Sequence, residues 1–152
     1  HQVSYSPGLI AVCIGLNKAT LENIRATKEF GVSIAATDQN VIASVAGGSS
    51  GKNVDKIKAL KELGFKFYRA NKIKPLMAEG AVLNIECKLF KEIELGDHVM
   101  FVGEVVEAFL NKGKEPLAYH KVKYWKLGEN IPQPPQNEMD RIKQITQKYS
   151  KQ

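Results

Sequence analysis

The segment Val82–Leu110 constrains the fold more than any other part of the chain. It reads as a strand over Val82–Leu95, a tight turn at Gly96-Asp97-His98, and a returning strand over Val99–Leu110. Apolar and polar residues alternate through much of both arms, and Gly-Asp supplies the residues that a tight turn needs. In the first arm Leu83, Ile85, Cys87 and Leu89 share one face, while Val82 and Phe90 lie on the other beside Asn84, Glu86 and Lys88. In the return arm Val99, Phe101 and Val105 oppose Met100, Val102 and Val106, so apolar side chains occupy both faces. A one-layer sheet with a wet face is not built that way. A closed barrel with a further contact on its outer wall is, and that contact points to a homodimer. His98 sets an ionisable imidazole where the return strand begins. It is either a ligand-facing group at the mouth of an apolar β-structure or part of a solvated turn.

The remaining pattern is strand-dominated with a few short helices. Leu9–Gly15 is a continuous apolar run rich in β-branched residues, which predicts a strand buried on both faces. Leu21–Thr27 forms a short helix and Phe30–Ala35 a second strand. Asp38–Ala46 reads as a helix, with Asp as N-cap and Gly47-Gly48 as terminator. Ser49–Asn53 is loop by composition, and Asp55–Leu63 is a helix stopped by Gly64. Lys66–Pro75 is extended and basic, and Tyr119, Tyr124 and Trp125 crowd a last strand within Pro116–Leu127. Ile131–Pro135 is then a stiff linker before an amphipathic helix over Asn137–Tyr149. The apolar stripe of that helix (Met139, Ile142, Ile145, Tyr149) is too narrow to fold alone and needs a surface, from its own chain or a second subunit.

Length and composition exclude several classes. A chain of 152 residues, 43% apolar and 25% charged, is an ordinary globular domain with a sizeable core. No apolar run approaches the ~18–20 residues that cross a bilayer, so no membrane role is expected. The opening His-Gln-Val-Ser-Tyr-Ser has neither the basic nor the apolar region of a signal peptide, nor an initiator methionine. A fragment or processed form in the cytoplasm is expected. Cys13 and Cys87 match no zinc or redox spacing and are expected to be buried free thiols. The net charge of +6 is spread along the chain, with only Arg25 and Arg69 ahead of the tail. That suits an anionic small ligand better than nucleic acid, although a nucleic-acid-binding β-barrel is a competing class.

The chemistry-bearing motifs are few. Asn17-Lys18-Ala19-Thr20, between a buried strand and a helix, offers free amides, a hydroxyl and an ammonium to a phosphate monoester. Plain helix capping by Asn17 or Thr20 is the simpler alternative. Gly47–Lys52 is glycine-rich but lacks the spacing of either nucleotide fingerprint. No nucleophile elbow, HExxH or triad can be assembled, and three histidines are too few and scattered for a metal centre. What is left is binding, or chemistry borrowed from a cofactor.

Taken in order, PGLIAVCIGLNKATLENIRATKEFGVSI, AGGSSGKNVDK, LNIECKLFKEIELGDHVMFVGEVVEA and PLAYHKVKYWKLGE resemble the flavin reductase-like FMN-binding split-barrel family, over roughly Gln2–Glu129. The flavour is flavoredoxin-like or ferric-reductase-like. The resemblance implies a mainly β fold, a split β-barrel of Greek-key type, with short peripheral helices and a C-terminal helix. It makes 1–129 the FMN-binding domain and 130–152 a Pro-rich linker and helix.

Several site assignments follow from the same resemblance. Gln2, Val3 and Ser4 would run beside the isoalloxazine, while Asn17, Lys18 and Thr20 match the phosphate-binding turn. Ser49, Ser50 and Gly51, with Asp55 and Lys56, would border the flavin cleft, and His98 would face the flavin or nicotinamide side. NAD(P)H would give hydride to FMN, and electrons would pass to free flavin, ferric iron or a redox protein. The alternative is an FMN electron carrier with no NAD(P)H activity of its own. A homodimer bordering the flavin is also implied. Relatives carry a few dozen residues ahead of the position of His1, so an edge left open there is expected to be covered by the C-terminal helix or a second subunit.

Overall fold

The computed structural model describes residues 1–150. The chain runs β1 (Gln2–Tyr5), β2 (Gly8–Gly15), α1 (Ala19–Thr27), β3 (Glu29–Ile34), α2 (Asn40–Gly48), α3 (Lys56–Glu62), β4 (Phe67–Arg69) and β5 (Leu76–Ala78). It continues through β6 (Leu83–Leu95), β7 (His98–Leu110), β8 (Ala118–His120), β9 (Lys123–Trp125) and α4 (Gln136–Lys148). The main sheet has five strands in the order β1-β2-β7-β6-β3, and β4-β5 and β8-β9 are separate two-stranded hairpins.

β6 and β7 form the expected long hairpin. Leu95 pairs with His98 across a two-residue turn, in which Gly96 takes φ +56°, a conformation that glycine adopts without steric cost. The inner face carries the core: Leu21 and Ile24 of α1 pack on Phe30, Cys87, Val99 and Phe101, with Ile10, Val12 and Ile14 of β2 against them. Each such side chain contributes about 1.5–3 kcal/mol when fully buried. Arg25 ties α1 to β6, its Nε donating to Glu92 Oε1 (2.7 Å) and its Nη2 to Glu94 Oε1 (3.0 Å). Those hydrogen bonds hold the guanidinium pKa above its usual value.

The opposite face explains the polar alternation of β6. Glu86 is only 3% exposed, yet its two carboxylate oxygens accept the backbone N–H groups of Asn71 (2.9 Å) and Lys72 (2.7 Å). Charge-assisted bonds of this kind offset the desolvation of the carboxylate and fasten the segment between β4 and β5. Asn84 is likewise buried, accepting from Ser33 Oγ (2.5 Å) and donating to the Ala78 carbonyl (2.9 Å).

Several expectations are corrected. No closed barrel forms among the described residues, because β1 and β3 remain the two ends of an open antiparallel sheet. Beyond Ile34 the chain makes only an isolated bridge, Ala36 to Pro116, while Met77 of β5 packs against Gly31 of β3. β2 sets Ile10, Val12 and Ile14 against the core, and on its other face Ala11 is buried as expected, but Cys13, expected to be buried, is exposed. α2 starts at Asn40 and runs through Gly47 and Gly48, since Asp38 does not cap it but pairs with Lys114. The region Lys66–Pro75 is a strand only over Phe67–Arg69, and the single last strand expected in Pro116–Leu127 is a hairpin of two short ones. α4 buries none of its residues, and its apolar stripe stays exposed, so it covers no sheet edge among the described residues. α3 is as expected, with Asp55 Oδ1 accepting from Lys58 N (3.0 Å) at its start and Gly64 at φ +91° after its end.

The two thiols differ, and this gives a direct check. Burial raises the Cys87 pKa to about 11, whereas Cys13 is exposed. At mildly alkaline pH a disulfide reagent is expected to titrate one thiol per native chain, Cys13, and the second only in denaturant. Equal reactivity of both thiols in native protein would contradict the packing of Cys87.

Candidate functional site: a cleft at the start of the first helix

A cleft of about 1010 Å³ opens where β2 ends. Its floor is Cys13–Gly15, and one wall is the start of α1 with Lys18, Ala19, Thr20 and Asn23. The other wall comes from the last turn of α2, the loop that follows it and the first residues of α3, with Leu76 and His98 closing the ends.

The turn at Gly15–Lys18 is fixed by its own backbone: Lys18 N donates to the Gly15 carbonyl (3.0 Å) and Leu16 N to the Asp97 carbonyl (3.1 Å). Lys18 is the N-cap of α1, with an extended backbone and no side-chain cap. Capping by Asn17 or Thr20 is therefore absent, and the first amides of α1 keep their positive end toward the cleft. The Lys18 ammonium has no ion-pair partner among the described residues. A side chain added at Gly15 would meet Asn17 Oδ1 at 3.5 Å and both His98 Nε2 and Lys18 Cγ at 3.7 Å. Glycine there leaves a space in which an imidazole, an amide and a lysine stem converge.

The facing loop is ordered by local and distant bonds. Ser50 accepts from Asn53 N (3.1 Å) and Val54 N (3.0 Å) through its carbonyl. Lys52 Nζ reaches Glu22 Oε1 on α1 (2.8 Å), and Lys56 Nζ donates to the Ala46 carbonyl (2.5 Å). Gly51 lies against Ala19, where an added Cβ would come within 3.4 Å. The loop thus sits across the first turn of α1. At its end the Asp55 carboxyl is held below its usual range by the backbone N–H of Lys58.

At the mouth, His98 Nδ1 lies 2.8 Å from Asp97 Oδ1, and the bond to His98 holds the Asp97 carboxyl below its usual range. A charged carboxylate only accepts, so the proton of this bond sits on Nδ1. Nε2 is left facing the space over Gly15.

Of the residues singled out in the sequence, Lys18, Thr20, Ser49, Ser50, Gly51, Asp55, Lys56 and His98 line this cleft. Asn17 does not line it but borders Gly15. Gln2, Val3 and Ser4 are not part of the lining; Gln2 pairs with Ile10 and Ser4 with Leu9, toward the other end of β2. The sequence reading missed Cys13, Asn23, Lys52 and Asn53. Cys13 had a signal, for Ala11, Cys13 and Gly15 are the small residues alternating with Ile10, Val12 and Ile14.

Residues 1–128 match the family model described as the flavin reductase like domain. The chain belongs to that family. It is 33% identical over 107 residues to the NADH-dependent FAD reductase of Streptomyces globisporus, covering 70% of this chain and 56% of that protein. It is 29% identical over 130 residues to a ferric-chelate reductase (NAD(P)H) of Archaeoglobus fulgidus, covering 84% of this chain and 73% of that one. Among solved structures, an FMN-binding protein from Thermus thermophilus with bound p-hydroxybenzaldehyde superposes with a TM-score of 0.76 at 26% identity. That match covers 88% of this chain and 77% of the Thermus chain. Against the curated relatives the chain spans between 53% and 73% of their own lengths.

Proposed function

We propose that the protein is an NAD(P)H-dependent flavin or ferric reductase that holds its flavin, as FMN, in the cleft at the start of α1. The observation that carries this reading is the uncapped N-terminus of α1 beside Lys18, which is in no ion pair among the described residues. The residues fit a phosphate monoester: the amides of Ala19 and Thr20, the Lys18 ammonium, and the hydroxyls of Thr20, Ser49 and Ser50 are all of the donor type that it needs. One compact anion site suits the terminal phosphate of FMN, and FAD is the alternative flavin. When bound, the flavin supplies the redox chemistry, accepting two electrons as hydride and passing them on.

The chain's own part is to bind, orient and exclude. Gly15 leaves room over the strand end, and the 49–53 loop shields one side of the cleft. His98, held by Asp97, presents Nε2 to the mouth, where it orients the carboxamide of the nicotinamide donor. Gln2, Val3 and Ser4 keep a role at the ring only if the chain segment bearing them shifts toward the cleft on binding. Exposed Phe90, Leu95, Phe109 and Leu110, with the apolar stripe of α4, are the surfaces through which a second copy would pack. On this reading 1–129 is the catalytic domain and 130–152 an appended linker and helix.

Steady-state oxidation of NADH and of NADPH with added FMN or riboflavin tests the proposal, and turnover with at least one donor is expected. No turnover with either, in protein that binds FMN, would favour the second reading, an FMN electron carrier, which the net charge of +6 also suits if its partner is acidic. His98→Ala is expected to keep FMN affinity and to slow reduction by NAD(P)H about tenfold, read by stopped-flow bleaching of the flavin. An unchanged reduction rate would make Asp97-His98 a solvated turn.

A further inference from the structure

The β8–β9 hairpin lies outside the cleft, and its composition is unusual for a surface turn. Between Pro116 and Gly128 stand Lys121, Lys123, Lys126 and His120, with no Asp or Glu. None of these lysines is in an ion pair among the described residues. Among them are large apolar groups in solvent: Tyr119 is 64% exposed, Val122 84% and Trp125 49%. At the tip Lys121 takes φ +48° and Val122 φ +63°. A hairpin turn of this hand is ordinarily built from Asn and Gly, and a β-branched residue enters that region only at a steric cost. Here that cost accompanies a valine held out into water with a lysine on either side.

Beneath the tip the hairpin is firm. The Tyr119 and Tyr124 rings pack at 5.3 Å and 52°, and Trp125 Nε1 donates to the His120 carbonyl (3.0 Å). The Tyr124 hydroxyl lies 3.0 Å from Ser44 Oγ on α2. That contact sets the hairpin against α2, whose last-turn residues Ala46 and Gly47 line the cleft. A second cavity of about 570 Å³ lies between Tyr119 and Tyr124 and the same helix end, sharing Gly47 with the first. The hairpin and the candidate flavin site thus both adjoin the end of α2.

We propose that the β8–β9 hairpin is the docking surface for an acidic electron-carrier protein served by that site. The inference rests on the reductase or carrier reading above and goes beyond it by naming where, and to what chemistry, electrons leave. An apolar centre of Val122, Trp125 and Tyr119 with a rim of lysines has the make-up of a transient protein interface. The rim steers a partner of opposite charge and sets the association rate. Lysine without arginine, on a hairpin too short to follow a polyanion, favours an acidic protein over nucleic acid. The reaction balances as one NAD(P)H and two oxidised one-electron carriers giving NAD(P)⁺, one proton and two reduced carriers.

Trp125 is the only tryptophan in the chain, so its fluorescence anisotropy reports docking without any turnover. The probe is an oxidised acidic ferredoxin that lacks tryptophan, titrated into the flavin-loaded protein. Lys121→Glu/Lys123→Glu/Lys126→Glu is expected to weaken binding at least about tenfold, and added salt to weaken the wild type, while riboflavin reduction by NAD(P)H stays within about twofold. Two results would overturn the proposal: equal ferredoxin affinity in the variant, or a Trp125 response to anionic vesicles or duplex DNA with none to ferredoxin. Absence of riboflavin reduction counts against the reductase reading alone, because the titration decides the docking surface by itself.

Discussion

The double variant Lys18→Ala/Thr20→Ala is expected to bind FMN at least about tenfold more weakly than the wild type, a loss of about 1.5–3 kcal/mol for hydrogen bonds to a charged group. The reason lies in what the α1 terminus lacks. Its N-cap contributes no side-chain oxygen, and the Lys18 ammonium pairs with no carboxylate among the described residues, so both stand available to an anion. Removing them takes away a point charge and a hydroxyl but leaves the helix amides in place. Riboflavin, which lacks the phosphate, is the internal control, and its weaker affinity is expected to change less than about twofold. Equal losses for FMN and riboflavin would mean that the substitutions damage the cleft as a whole. Equilibrium fluorescence titration with both flavins separates the two outcomes.

Gly103→Ala is expected to cost about 2–3 kcal/mol of stability, near the upper end for an overpacked core, measured as a fall in the denaturant midpoint. A Cβ at Gly103 would lie 2.5 Å from Phe30 Cζ and 2.7 Å from Cys87 Cβ. Phe30 and Cys87 are both members of the buried cluster, and a Cβ cannot swing aside as a side-chain end can. Phe30→Leu in the same chain relieves the first clash but not the second, so the pair is expected to recover only part of the loss. Gly31→Ala is the contrast. Its nearest neighbours are the sulfur and terminal methyl of Met77, the far end of a flexible though buried side chain that can shift where backbone and Cβ atoms cannot, and its cost is expected to be smaller than that of Gly103→Ala. A Gly103→Ala protein as stable as wild type would contradict the packing of β7 against β3 and β6.

How much of this was legible in the chain depends on how local each determinant is. The β6–β7 hairpin could be read to within a residue, because period-two alternation and a Gly-Asp turn are written in adjacent positions. α3 was legible for the same reason, with Asp55 at one end and Gly64 at the other. α2 was misplaced at both ends because its supposed cap, Asp38, is drawn instead to Lys114, a partner far away in sequence. Barrel closure is a global property, and strands at opposite ends of a sheet carry no local mark of whether they meet.

The candidate site divides in the same way. The turn at Gly15–Thr20 sits between a strand and a helix, so its free amides follow from chain order alone. That the 49–53 loop lies across it depends on Lys52 reaching Glu22 and on Gly51 meeting Ala19, contacts between distant segments. Lys52 was therefore visible only as part of a glycine-rich loop with the wrong spacing for a nucleotide. Gln2–Ser4 differ in kind: the resemblance sets them beside the ring, while strand pairing sets them against Leu9 and Ile10, outside the lining of the cleft.

The central claim is that the first turn of α1 grips the phosphate of a flavin. Crystals soaked in excess FMN test it most directly. The expected density places the phosphate within hydrogen-bond distance of the Ala19 and Thr20 amides and the Lys18 ammonium. A turn left empty under those conditions, or a flavin bound with its phosphate elsewhere, would contradict the claim.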